Sequence, residues 1–209
     1  MKKSYIFDLD GVIVFTDKFH YKAWKKMADR IGIYFDEKIN NRLRGVSRAE
    51  SLEIILEKYE GTFSTEEKEK LMEEKNGYYR ELLAQMTPKD VAQETKNTLE
   101  MLRKRGHKLA IGSSSKNTKY ILEKVGIMDL FDQISDGTNI THSKPDPEVF
   151  LKAAKFLDEQ PENCIVVEDA FAGIDAAKAA NMTAVGIGDA ARYEKTDIKI
   201  QSFSDLLEI

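Results

Sequence analysis

The 209-residue chain has a single cysteine, Cys164, so no internal disulfide can form. That thiol lies in the apolar run Cys164-Ile165-Val166-Val167, where a buried, inert side chain is expected, and such usage fits a reducing cytosol. Positive charge is not in excess either. With a formal net charge of -4 the chain carries no basic field, which makes nucleic acid and anionic membrane poor candidate partners and small molecules better ones. Long hydrophobic runs are missing too: the apolar stretch behind Met1-Lys2-Lys3 stops at Asp8, too short for a signal-peptide core or a membrane span. A cytoplasmic protein is expected, and its unpatterned, charged surface favours a monomer.

Against these absences stands the first apolar run, Tyr5-Ile6-Phe7-Asp8-Leu9-Asp10-Gly11-Val12. Two carboxylates one residue apart at the end of a hydrophobic stretch raise each other's pKa, so a cation or a proton must relieve the repulsion. One reading is a strand entering an Asp-Gly turn. The other is a pair with divided labour, Asp8 as nucleophile and metal ligand and Asp10 as general acid and base.

Downstream, Thr16 or Asp17 can cap a helix with Phe19, Ala23, Trp24, Met27 and Ile31 at helical spacing, ending at Gly32. His20 and Trp24 are four apart on one face of it, as a packed pair would be. Ser47 and Glu50 are spaced as a capping box, which puts Arg48 in a first helical turn, where it is either solvated or held for an anion. A second box, Ser64 with Glu67, opens a long helix through Leu71, Met72, Tyr78, Leu82 and Leu83, on which a charge such as Lys75 is ordinarily a solvated residue. No strand signal occurs from about Thr16 to Met86.

Beyond Pro88 short apolar strands alternate with helices: strands at 108–112, near 131–134, at 164–167, at 183–187 and at 198–200, and helices around Leu99, Tyr120, Phe150 and 173–180. That alternation implies a parallel sheet covered on both faces, with ligands at the carboxyl ends of its strands. Just past those ends come Asp8 and Asp10, then Ser113, then Glu168 and Asp169, with Lys144 in a loop expected on the same side. Carboxylates without a His or Cys cluster suit a hard cation with oxygen ligands, of which Mg2+ is the most available. Ser113 and Lys144 are a hydrogen-bond donor and a positive charge for phosphoryl oxygens. The reaction class is phosphoryl transfer to Asp8, with Asp10 protonating the leaving alcohol.

Asp8-Leu9-Asp10-Gly11-Val12, Ser113 after a strand, Lys144-Pro145 before a helix and Glu168-Asp169 after a strand resemble the four ordered motifs of the haloacid-dehalogenase superfamily of phosphotransferases. Within it, His20 to Trp24, Arg44-Gly45-Val46-Ser47-Arg48, Glu50-Ser51-Leu52, Lys75-Asn76 and Ser113-Ser114-Ser115-Lys116-Asn117 resemble the β-phosphoglucomutases, nearly end to end. The resemblance implies an α/β fold: a Rossmann-like parallel-sheet core of residues 1–15 and 88–209 with helices on both faces, and an inserted helical cap of residues 16–87. It implies interconversion of β-D-glucose 1-phosphate and D-glucose 6-phosphate through β-glucose 1,6-bisphosphate, with a sugar-phosphate phosphatase as the alternative and a non-catalytic phosphometabolite-binding module as a third reading. Mg2+ would be held by Asp8, the backbone carbonyl of Asp10, Glu168 and Asp169.

In the same resemblance Arg48, Ser115, Lys116 and Asn117 would bind the phosphate that is not reacting, and Ser113 and Lys144 the one that is. Gly45, Val46 and Ser51 would lie along the sugar, with Thr16, Trp24 and Asn76 also on the substrate side. His20 and Lys75 would tie cap closure to Asp10, and Lys144-Pro145 would be a cis peptide. Two departures stand out. Phe15 occupies a linker position that is commonly Asp, and the return linker Asp90-Val91-Ala92-Gln93-Glu94 lacks the usual Pro-Gly pair, so Glu94 is expected near the cleft entrance.

Overall fold

The structure, a computed structural model, describes residues 3–44 and 46–209. Gly45 therefore lies outside the described residues.

A six-stranded sheet, wholly parallel, forms the centre: β1 (Ser4–Phe7), β2 (Lys108–Gly112), β3 (Gln133–Ser135), β4 (Cys164–Glu168), β5 (Thr183–Gly186) and β6 (Ile198–Lys199), in the order β3-β2-β1-β4-β5-β6. Its middle strands are apolar without alternation because both faces are covered. Tyr5, Phe7, Leu109, Ile111, Ile165 and Val167 feed one core, and Ile6, Ala110, Cys164 and Val166 feed another on the opposite face. Cys164 is buried and free, as its surroundings imply. The strand near Phe131 begins two residues later than the apolar pattern suggests, because Phe131 ends a short 3-10 turn.

After β1, and ahead of the helix that leads into β2, come α1 (Asp17–Arg30), α2 (Glu37–Asn41), α3 (Arg48–Leu56) and α4 (Thr65–Leu83). They surround a third apolar cluster built on Trp24, Met27, Phe35, Leu52 and Leu71. Both capping boxes are present, Ser47 with Glu50 and Ser64 with Glu67. The remaining helices are α5 (Gln93–Lys104), α6 (Thr118–Val125), α7 (Glu148–Phe156) and α8 (Phe171–Ala179).

At the α1 N-terminus the expected side-chain cap is missing. Thr16 takes the capping position but makes no capping bond, because its hydroxyl is used elsewhere. On α5, Glu94 does not line the cleft as expected: it is exposed to solvent, and its carboxylate accepts hydrogen bonds from the backbone and hydroxyl of Ser204 at 2.9 and 2.7 Å. Among the described residues no helix is long and apolar enough to cross a membrane.

Candidate active site

Strand order reverses on either side of β1, and the carboxyl ends of β1 and β4 form the crevice where such sheets place ligands. Asp8 follows β1 directly, anchored by its backbone N–H to the carbonyl of Val167 at 3.0 Å. Glu168 ends β4 and Asp169 follows it. One carboxylate oxygen from each of Asp8, Glu168 and Asp169 lies within 4.8 Å of the others. Glycine makes this packing possible: a Cβ on Gly11, whose φ is +94°, would come within 2.2 Å of the Asp169 carboxylate, and one on Gly173 within 1.9 Å of that of Glu168.

Three clustered carboxylates need positive charge. Lys144, almost fully buried, places Nζ 2.5 Å from both Asp8 Oδ1 and Glu168 Oε1, and those anions hold its pKa above the ordinary lysine value although burial alone would lower it. Burial pushes Glu168 upward, with Lys144 opposing. Asp169 is pushed up to about 8 by burial and by the charges of Glu168 and Asp8, against the pull of Arg44. Oxygen donors that hold protons so tightly when bare fit a hard divalent cation, and Asp8, Glu168 and Asp169 are the residues that would hold it.

Asp10 stands apart from that cluster. Thr16 donates to both of its oxygens, through the backbone N–H at 2.8 Å and the hydroxyl at 2.6 Å, and burial pushes the carboxyl up to about 6. From the helical insertion, His20 Nε2 approaches Asp10 Oδ2 at 3.5 Å, and Lys75 Nζ lies 2.9 Å from His20 Nδ1. Lysine donates to Nδ1, so Nε2 is left as the nitrogen carrying hydrogen toward Asp10. Lys75 is not the solvated residue its helix suggests. It is buried over the rings of Trp24 and Tyr79, and burial together with the charge of Arg48 lowers its pKa strongly, as burial does that of His20.

At the other end of the cavity Arg48 donates to Asn76 Oδ1 at 2.9 Å, which also accepts from Asn117 Nδ2 at 3.0 Å. The loop after β2 is wound tightly, with the Ser115 N–H on Ser113 Oγ and the Asn117 N–H on Ser115 Oγ, each 3.2 Å. Trp24, Val46, Ser51, Ser115 and Lys116 line the same cavity of about 580 Å³, whose walls come from both the helical insertion and the sheet. Ser51 spends its hydroxyl on the Ser47 carbonyl, and Thr16 is fully buried behind the wall. The expected cis peptide joins Lys144 to Pro145. Phe15 lines the cavity with 72% of its surface exposed.

Sequence reasoning gave no role to Arg44 or Ser114, though both stand in quoted segments, and passed over Tyr79. Arg44 pairs with Asp169 at 2.8 Å and with Asp189 at 3.3 Å. Tyr79 Oη lies 2.8 Å from Thr16 Oγ1, and the Ser114 hydroxyl on the cavity wall is buried with no hydrogen-bond partner among the described residues. The available signals were weak: a second cation in the Arg44-to-Arg48 turn, and the four-residue spacing from Lys75 to Tyr79.

Residues 2–181 match the family model described as haloacid dehalogenase-like hydrolase. Over 98% of this chain and 91% of the relative, the sequence is 43% identical to a β-phosphoglucomutase of Bacillus subtilis (strain 168). A phosphorylated carbohydrates phosphatase of Thermotoga maritima is 32% identical over 86% of this chain and 82% of its own. Among solved structures, a β-phosphoglucomutase from Clostridium difficile superimposes with a TM-score of 0.92 at 43% identity, covering 99% of this chain and 93% of the other. With the strand-end carboxylates and the buried lysine in place, the chain belongs to the haloacid dehalogenase-like hydrolase family.

Proposed function

We propose that this chain is a Mg2+-dependent β-phosphoglucomutase, interconverting β-D-glucose 1-phosphate and D-glucose 6-phosphate through enzyme-bound β-glucose 1,6-bisphosphate. The observation that supports the reading is one cavity with a cation toward each end, Lys144 beside Asp8 and Ser113 at one and Arg48, joined through Asn76 to Asn117, with Ser115 and Lys116 at the other; we read these as sites for two phosphates. A phosphatase has one phosphate to hold. A mutase must hold two and exchange them.

Phosphorylated Asp8 begins the cycle. The C6 hydroxyl of glucose 1-phosphate attacks its phosphorus while Asp10 takes the hydroxyl proton, and the acyl phosphate bond breaks. After the bisphosphate turns over in the cavity, an Asp8 oxygen attacks the C1 phosphorus. The bond to the C1 oxygen breaks, Asp10 returns the proton to that oxygen, and glucose 6-phosphate leaves. Lys144 and the Ser113 hydroxyl bind the moving phosphoryl oxygens, and the bound cation supplies charge neutralisation beside them. Residues 16–87 act as a cap over a core of residues 1–15 and 88–209, and Arg48 draws on the distant phosphate to close it. His20, on Lys75, brings its Nε2–H to Asp10 only in that closed arrangement. The protein works as a cytoplasmic monomer on small sugar phosphates.

A sugar-phosphate phosphatase is the second reading, supported by the Thermotoga relative and by exposed Phe15 at the mouth of the cap linker. Peptide mapping after incubation with β-glucose 1,6-bisphosphate and Mg2+ tests the chemistry common to both. A hydroxylamine-labile phosphate on the Asp8 peptide, absent in Asp8→Asn, supports the nucleophile; labelling that persists in Asp8→Asn rules it out.

A further inference from the structure

We infer that Tyr79 is a positioning residue for Asp10, acting through the Thr16 hydroxyl rather than through substrate. The inference rests on the reading of Asp10 as the acid–base group. Thr16 is fully buried, and its Oγ1 lies 2.6 Å from Asp10 Oδ2 and 2.8 Å from Tyr79 Oη. A threonine hydroxyl has one proton to give and lone pairs to receive. An ionised carboxylate only accepts, so while Asp10 awaits the substrate proton the Thr16 proton goes to Asp10 and the phenol proton of Tyr79 goes to Thr16. The direction of both hydrogen bonds is thereby set, and the phenol has no proton left for a sugar.

Local structure bears this out. Thr16 occupies the N-cap of α1 yet makes no capping bond, forgoing a contact that ordinarily stabilises a helix N-terminus. Its hydroxyl is committed inward instead, while its backbone N–H holds Asp10 Oδ1 at 2.8 Å. One residue thus grips both carboxylate oxygens, and the half of the grip made by the hydroxyl depends on a single side-chain rotamer. Rotation about χ1 would break the bonds to Asp10 and to Tyr79 together, so the phenol locks the rotamer that orients the carboxylate. Tyr79 is itself fixed, buried with its ring 4.1 Å from that of His20 and the Lys75 ammonium 4.6 Å from its centre.

Lys75 and Tyr79 are four residues apart and share one face of α4. That face reaches Asp10 by two routes, Lys75 through His20 and Tyr79 through Thr16. A shift of α4 relative to the sheet therefore loosens the carboxylate on two sides at once, and Tyr79 supplies the shorter of the two links.

Steady-state kinetics on the full-length enzyme, with β-glucose 1-phosphate, Mg2+ and a trace of bisphosphate, test the inference. Wild-type turnover with an inactive Asp10→Asn enzyme must come first; if Asp10→Asn turns over normally, the acid–base reading fails and Tyr79 is not at issue. Given that control, Tyr79→Phe, which keeps the ring, lowers kcat roughly tenfold with KM unchanged. Thr16→Val lowers kcat at least as far, and the double variant matches Thr16→Val alone, because Tyr79 has no other path to the reaction. Additive losses, a change confined to KM, or an unchanged kcat in Tyr79→Phe would overturn the inference. If Tyr79→Phe does not fold, Thr16→Ser decides: with the phenol pinning the serine hydroxyl, it keeps most of the activity that Thr16→Val loses, and an equal loss in both refutes the role.

Discussion

The Lys144 ammonium stands 2.5 Å from Asp8 Oδ1 and spans the gap between that residue and Glu168, so one buried cation serves the carboxylates of two neighbouring strands. Replacing it with an uncharged side chain strands two buried anions. Lys144→Met is expected to abolish turnover and to lower unfolding free energy by about 3–5 kcal/mol without Mg2+, as for other broken buried ion pairs. Urea unfolding with and without Mg2+ checks this: the metal should recover part of the loss.

Protons and metal compete for the same oxygens. The folded-state pKa of Asp169 is raised to about 8, above its unfolded value, so the stability it contributes in the bare protein is present at low pH and lost as pH rises through about 8. A bound cation takes the place of that proton. The gain in Tm on adding saturating Mg2+ should therefore grow from pH 6.5 to pH 9 (roughly the range bracketing that titration), and the growth should shrink in Asp169→Asn, where the raised carboxyl of Glu168 is left to compete with the metal. A gain independent of pH would contradict this.

Arg44 adjusts that competition. Its guanidinium lies 2.8 Å from Asp169 Oδ2 and holds the carboxyl below where burial would otherwise put it. In Arg44→Gln the pH midpoint of the Mg2+-induced Tm gain should move upward, and a midpoint that stays or falls would show that Arg44 does not act on Asp169.

Glycine at two positions is a condition of the carboxylate cluster. Gly173→Ala sets a methyl 1.9 Å from the Glu168 carboxyl carbon, and Gly11→Ala sets one 2.2 Å from Asp169 while also straining a positive φ. Both substitutions should weaken Mg2+ binding measured by calorimetry by tenfold or more, on the order of 1–2 kcal/mol. Gly32→Ala, also at positive φ but with open space around it, should leave Mg2+ affinity unchanged.

The strand-end carboxylates were legible in sequence because a short apolar run followed by an acid is a local pattern, and a parallel sheet brings such ends together. Asp8, Asp10, Glu168 and Asp169 all lie where that reasoning puts them. Lys75 was not legible by periodicity, since a helix of nineteen residues rich in Glu and Lys gives no sign of which charge meets the sheet. Thr16 was legible as a cap and is instead a clamp on Asp10, because the competing partner, Tyr79, is 63 residues away. Glu94, at the end of the return linker, was expected near the cleft entrance, whereas the packing of α5 against the C-terminal turn gives it to Ser204. Local chemistry was readable; partners set by tertiary packing were not.

Phosphoryl exchange without loss to water is what separates the proposed mutase from a phosphatase on the same fold, and Phe15 at the cap linker is where that separation is most exposed. The most direct measurement supplies β-glucose 1-phosphate with Mg2+ and a trace of β-glucose 1,6-bisphosphate, and follows glucose 6-phosphate and free phosphate separately. Glucose 6-phosphate accumulating with little free phosphate is the predicted result. Stoichiometric phosphate release with no glucose 6-phosphate would contradict it.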